Sequence, residues 1–522
     1  MKQSICLLLI LNCLSLISNA AIRYVTPTGA GLLNGTSWSN AYPGTSLQAA
    51  INASGVGDEV WVAQGMYYTT NTTDRTSSFS MKNGVAIYGS FLGAETLLSQ
   101  RSLTDGLTSV LSGEIGLAGI ADNSYHVFSN TGLNNTAIID GFIVRDANDD
   151  RAAGLDVGLG GGFYNDGSGS SGLCSPIIRN CIIRNNQAVF GAGIFNNGYD
   201  GGSASPQIIN CVITANFATT GGGGIDNFGL LNGDASPLIA NCVVYSNSAS
   251  QRAGGMYCWG GNDGNASPVL MNTCFVNNSA VDGGGVVADR LNASTGSSGI
   301  SSPVLTNCIF WGNTATGVGP QFFLLGGATF NPTYSDIDLT NQTTPHILSG
   351  AGTGNIQLTP LFVNVILGAG MDGNWMTMDD GLQLQSTSPC IDAGNISGIT
   401  ATDILSENRV KYATVDMGAY EFDSTATLAV SENHQPTFEL LVSPNPVDRL
   451  LKFTYHISET EPVYLSISDL NGKQLWNSYE GEQIKGDYEL EINLSSFQKG
   501  VYFLNLETKD GKLTQRVVKN EN

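Results

Sequence analysis

The chain has 522 residues, a formal charge of −22, only 13% charged residues and 65 glycines. This acidic balance excludes nucleic acid and anionic membrane surfaces as partners. The elements then fall into place in chain order.

Residues 1 to about 20 read as a secretory signal peptide. Lys2 gives the positive start, Ile5 to Ile17 the apolar core, and Ser18-Asn19-Ala20 the small-x-small cleavage site. The apolar run is too short to span a bilayer, and no other stretch approaches the roughly 20 apolar residues of a transmembrane helix. From Ile22 the spacing predicts one short helix, around Ser46 to Ala53, ended by Gly55 and Gly57. A strand follows at Asp58 to Ala63, and a turn into the next at Gly65-Met66-Tyr67. Residues 22 to about 70 are expected to cap a repeat array, whose open end would otherwise expose apolar side chains and unpaired strand edges. Less regular runs occupy residues 81 to 145, including Val85 to Gly89, Ser109 to Gly113 and Ala137 to Val144.

Residues 160 to 313 carry one phrase five times. Ser175-Pro176-Ile177-Ile178-Arg179-Asn180-Cys181 returns with its asparagine at 210, 241, 272 and 307, and a second asparagine keeps step at 186, 216, 247, 278 and 313. A glycine-rich half-phrase lies between, as in Gly223-Gly224-Ile225 and Gly254-Gly255-Met256. Short β-type runs bounded by Gly, Asn, Ser and Pro exclude a helical repeat, and a period near 31 is too short for a propeller blade. One turn of a parallel β-helix fits. Stacked coils would place the asparagines in ladders and Cys181, Cys211, Cys242 and Cys308 in an inward column of small apolar side chains. Cys258 and Cys274 break that register and are the pair to inspect for a disulfide; free thiols are the simpler expectation.

Gly35-Thr36-Ser37-Trp38, Gly57 to Val62 with Gly65-Met66-Tyr67, and Ile87 to Phe91 resemble right-handed parallel β-helix proteins of the polymorphic outer-membrane-protein-like group. Asn307 to Asn313, Pro360 to Val363, Ser388 to Asn395 and Asp416 to Glu421 resemble that group's choice-of-anchor Q ending, over residues 307–423. The likeness covers most of residues 21–423. It implies an all-β fold and a secreted address, not a reaction, since adhesins, polysaccharide lyases and glycoside hydrolases all occur on long β-helices.

Residues 424–437 read as a linker. Lysine then becomes common, and alternating patterns at Leu450 to Tyr455, Val463 to Ile467, Tyr488 to Ile492, Tyr502 to Leu506 and Thr514 to Val518 predict a small immunoglobulin-like antiparallel sandwich. Ser443-Pro444-Asn445-Pro446, Asp469 to Lys473, Gly500-Val501-Tyr502 and Val517-Val518-Lys519 resemble the C-terminal sorting domain of type IX secretion, over residues 438–522. That resemblance implies the secretion machinery as a partner, passage across an outer membrane, and then release or surface attachment.

Two functions remain open. One is a non-catalytic adhesin or glycan-binding element. The other is a carbohydrate-active enzyme, a calcium-assisted polysaccharide lyase or a glycoside hydrolase, on the same scaffold. The densest candidate cluster is Asp146, Asp149, Asp150, Arg151 and Asp156, whose carboxylates could hold Ca²⁺ or form a solvated loop between coils. Asp226 and Asp282 lie beside glycine phrases and could share a face or cap turns. His126, His346, His434 and His456 show no metal spacing, and no nucleophile motif appears. Phe195, Phe217, Tyr245, Tyr257, Trp259 and Trp311 would stack on sugar rings where exposed and form core where buried. The discriminating observation is whether Arg179, Arg184, Arg252 or Arg290 meets two or three carboxylates on one face.

Overall fold

The computed structural model describes residues 20–152, 157–291, 299–342, 352–423, 440–457, 460–468, 474–508 and 511–520. Residues 1–19 of the signal segment, the linker at 424–437, Asp156, His346 and His434 lie outside them. The chain divides into two units: residues Met1–Ala369 with Asn374–Phe422, and residues Gly370–Gly373 with Asp423–Asn522.

The first unit is a parallel β-helix. One coil runs from the strand Ile177–Arg179 through Ile182–Arg184 and Gln187–Phe190 to Ile194–Asn197, and the next coil opens at Gln207–Ile209. The four strand positions build four parallel sheets of 11, 9, 6 and 7 strands. The apolar stretch Gln207 to Ile213, a single run in the sequence, is two strands. Asn210 between them takes a left-handed backbone, φ 51°, which turns the chain from the first sheet to the second. Asn tolerates that conformation better than any other side-chain-bearing residue except Asp. Ala137 to Val144 divides likewise at Gly141, φ 85°.

Inside the coils equivalent residues stack. Ile178, Ile208, Ile239, Leu270 and Leu305 form one apolar column, and Ile183, Ile213, Val244, Phe275 and Phe310 another. Cys181, Cys211, Cys242 and Cys308 are fully buried in the same core, as the period predicts. All eight cysteines among the described residues are free. Asn186, Asn216, Asn247, Asn278 and Asn313 form an interior ladder, each amide donating to the next side-chain oxygen at 2.9–3.0 Å. The same oxygens accept backbone N–H groups at 2.9–3.1 Å, so these amides are buried without loss. The Ser-Pro phrase has its own ladder: each serine hydroxyl accepts the backbone N–H of its counterpart one coil on, at 2.9–3.0 Å. The second glycine of the glycine phrase is dictated by coil spacing. A Cβ at Gly193, Gly224 or Gly255 would lie 2.4–2.6 Å from a carbonyl oxygen of the next coil.

The predicted helix is present as Leu47–Ala53, with Leu47, Ala50 and Ile51 buried against Val25 in the main core. Around it residues 22–68 already contribute strands. Ile22–Thr26 pairs with Glu59–Ala63, and Tyr42–Pro43 forms the outer edge, where a proline blocks further pairing.

Coils end near Ile337, and residues 356–422 fold over the outside of the second sheet with little regular structure. Outward-facing Ile143, Ile182, Val212, Val243 and Ile309 pack there with Trp375, Leu382, Leu384, Met417 and Tyr420. This accounts for second-sheet strands that read Ile-Ile or Val-Val rather than alternating: both faces are buried. Arg409 is the peg. Its guanidinium donates to the Asn241 side-chain oxygen at 2.8 Å, to the Gly418 carbonyl at 2.8 Å and to Glu421 at 3.0 Å. Burial nevertheless holds the carboxyls of Asp403, Asp416 and Glu421 around it above their ordinary range.

The second unit is an antiparallel sandwich of a three-stranded and a four-stranded sheet around a core that includes Leu451, Phe453, Leu465, Ile467, Leu504 and Val517. Two strands, Leu440–Ser443 and Gln474–Gln483, join the five that alternation predicts.

Candidate functional site

The fourth, seven-stranded sheet has no residue of 356–422 packed in the apolar clusters on its outer side among the described residues, and its outward side chains define the site. Strand register aligns Tyr164, Phe195, Asp226, Tyr257, Val287 and Phe323 in one column. Two residues along each strand, Asp166, Asn197, Phe228, Trp259, Asp289 and Leu325 form a second. Aromatic rings meet across coils. Tyr199 stacks on Phe228 with centroids 5.6 Å apart, Phe228 lies 5.6 Å from Trp259, and Phe190 meets Trp259 edge-on at 5.6 Å. Phe190, Tyr199, Phe228 and Trp259 are half-buried, so ring area remains available to a partner.

Charge is sparse and specific here. The Tyr257 hydroxyl donates to Asp289 at 3.2 Å, and Arg252 donates to that hydroxyl at 3.4 Å and sits 3.8 Å from the carboxylate. Burial raises the Asp289 carboxyl above its ordinary range, against the opposing pull of Tyr257 and Arg252. Asp226 is fully buried between Phe195 and Tyr257, and burial alone lifts its carboxyl well above the carboxylate range. Asp282, half-buried, is aligned with Arg252 one coil on and its charge reaches that guanidinium. It caps a turn, accepting the Val318 N–H at 3.1 Å.

The acidic cluster of the sequence is parted among arginines. Asp146 lies 2.9 Å from Arg145, Asp150 pairs with Arg75 at 2.8 Å, and Asp149 is gripped by Arg151 at 2.6 and 2.7 Å. Asp149 also accepts the N–H groups of Gly158 and Leu159 at 2.9 and 3.0 Å. Among the described residues no group of three or more His, Cys, Asp or Glu could hold a metal ion. Asp149 and Arg151 do reach the end of the aromatic face. Arg151 donates to His126 at 3.2 Å, and His126 stacks on Tyr164 at 5.4 Å. Burial holds the His126 imidazole below its ordinary pKa, hence neutral, with its other nitrogen donating to the Gly160 carbonyl at 2.7 Å.

Of the six aromatics singled out by recurrence, Phe195, Tyr257 and Trp259 belong to this face. Tyr245 and Trp311 lie under the covering segment: the Tyr245 hydroxyl donates to the carbonyls of Val365 and Ile366 at 3.1 and 2.7 Å. Phe217 starts a strand of the six-stranded sheet. Phe190, Tyr199 and Phe228 were missed because they sit outside the repeated phrases. Arginine convergence on carboxyls does occur, but at buried Arg409. In the coils Arg179 meets Asp140 at 2.6 Å, and Arg252 lies 3.8 Å from Asp289 with Asp282 also acting on it.

A third ladder, also missed, underlies the face. Asn130, Asn165, Asn196 and Asn227 donate one to the next at 2.9–3.0 Å, and Asn227 ends on the Cys258 sulfur at 3.7 Å. Cys258 thus leaves the cysteine column because it occupies an asparagine column. Cys274 points the other way, its sulfur accepting the Ala419 N–H at 3.4 Å beneath the covering segment.

Residues 441–520 match the family model of the secretion system C-terminal sorting domain. No curated protein matches the chain. The sorting domain, of the type IX class, indicates export and a cell-surface or secreted location. Among the described residues no helix is long and apolar enough to cross a membrane.

Proposed function

We propose that the β-helix is a non-catalytic glycan-binding element, an adhesin in the broad sense, delivered to the cell surface or beyond it. In this reading residues 1–20 are the cleaved leader, 424–437 the linker and 438–522 the address read by the secretion machinery. The observation that carries it is the row of half-buried rings formed by Phe190, Tyr199, Phe228 and Trp259. Sugar rings present C–H faces that stack on such side chains, and a polymer lying along the coils would meet several in turn. An acidic protein with one lightly paired guanidinium on that face suits a neutral polymer better than an anionic one.

A second reading, hydrolysis, is favoured by a single observation. Asp226 and Asp289 lie on the same face on either side of Tyr257, and both carboxyls are raised, the property a general acid requires.

The test is a glycan array with a polysaccharide-degradation screen on the mature chain, with calcium and with chelator. Binding without turnover, weakened about tenfold by Phe228→Ala, is the expected result. New reducing ends lost in Asp289→Asn would establish hydrolysis instead. Unsaturated products lost on chelation would point to a lyase and to Asp146, Asp149, Asp150 and Asp156.

A further inference from the structure

The aromatic face holds two polar groups that the fold leaves unpaired. Both carboxyl oxygens of Asp226 are sealed from solvent and have no hydrogen-bond partner, and the same is true of Nε1 of Trp259. Directly beneath, the ladder amides are matched bond for bond, so the omission is local. Folding gives no reason for an acid at 226. Its counterparts in neighbouring coils are Tyr164, Phe195, Tyr257 and Val287, and an apolar side chain would fill the position. The adjoining turn is bare beside it: a Cβ at Gly222 would come within 3.0 Å of an Asp226 carboxyl oxygen. Asp282 shows what a turn-capping aspartate looks like in this protein, and Asp226 makes no such bond.

Buried polar groups are ordinarily paired, and those left unpaired in an apolar site are the groups that orient a ligand. We propose that Asp226 and Trp259 are the hydroxyl-reading pair of a neutral-sugar site. The Asp226 carboxyl accepts a sugar hydroxyl, the Trp259 indole N–H donates to a sugar oxygen, and Phe228, one coil from Trp259 in the same column, takes the ring's C–H face. Phe190 and Phe228 are half-buried beside Trp259, with ring centroids 5.6 Å from it. The class is neutral because an anionic sugar needs a cation to meet it, and Arg252 is already engaged with Tyr257 and Asp289. The assignment rests on the glycan-binding reading above.

The experiment uses the full mature chain in affinity electrophoresis against mannan, xylan, dextran and hydroxyethylcellulose, with thermal melting in parallel. Wild type is expected to be retarded by at least one polymer. Asp226→Leu should weaken that retardation at least tenfold while leaving the melting temperature equal or higher, because an unpaired buried acid has been replaced by an apolar side chain. Asp226→Asn, which still offers a carbonyl oxygen, should stay within about threefold of wild type. If Asp226→Leu binds like wild type while Phe228→Ala does not, the platform stands and the pair falls. A lowered melting temperature in Asp226→Leu would make Asp226 a structural residue and also overturn the pair. Wild type ignoring all four polymers would overturn both readings together.

Discussion

The second and fourth sheets come from the same repeats, yet the chain treats their outer faces in opposite ways. Over the second sheet residues 356–422 bury an Ile and Val column and tie it with hydrogen bonds from Arg409, Tyr245 and Asn307. Over the seven-stranded sheet one outward column is mostly buried and includes unpaired Asp226, and the next carries the half-buried rings of Phe228 and Trp259, the latter unpaired at Nε1. A closed face is optimised for the protein's own interior. A face left with unmatched polar atoms among rings is the one on which the proposed glycan site rests.

That contrast can be broken at several strengths. Arg409→Ala removes the peg and leaves Glu421 buried without its cation, at a cost of about 3–5 kcal/mol; hydrogen exchange should accelerate across 356–422 and leave the seven-stranded sheet protected. The next largest effect is pH. Asp380 sits in the covering segment, accepting the Tyr420 hydroxyl at 2.7 Å and the Met376 N–H at 3.0 Å, and burial pushes its carboxyl up to about 8. Its folded pKa exceeds the unfolded value near 3.8, so the folded state holds the proton longer and stability falls as pH rises. Between pH 6 and pH 8 the segment should lose about 2 kcal/mol, seen as faster proteolysis, and Asp380→Asn should flatten that dependence. Tyr245→Phe deletes a hydroxyl that bonds two carbonyls of the cover and should cost about 1 kcal/mol in urea unfolding. Phe228→Ala on the open face should change stability by about 0.5 kcal/mol or less, a loss confined to ligand binding.

The sequence was most legible where neighbours in space are neighbours in phase. A 31-residue period turns Asn186 or Cys211 into a column by arithmetic, because each partner is the same residue one coil away. The Asn165, Asn196 and Asn227 column offered the same signal two residues past the apolar end of each glycine phrase, but Cys258 interrupts it and hides the pattern. The cover was not legible. Arg409 meets Asn241 across 168 positions, and nothing periodic in residues 356–422 announces which face they will fill. The aromatic face was half visible: Phe195, Tyr257 and Trp259 recur near the phrases, whereas Phe190 reaches it from the end of a strand of the six-stranded sheet and Tyr199 from a turn. Asp226 could be named from its place beside a glycine phrase, but its isolation depends on burial, which no spacing reveals.

The reach of Arg409 has a consequence for biogenesis. Strand pairing in the coils needs only the preceding turn of chain, so the solenoid can wind progressively from its first residues. The clasp cannot: it waits for residues near the end of the passenger to return to a coil laid down much earlier. A polypeptide broken off before Phe422 would hold wound coils yet display a greasy stripe of isoleucine and valine. Only a finished passenger buries that stripe, which gives cellular proteolysis a physical criterion for telling complete molecules from fragments.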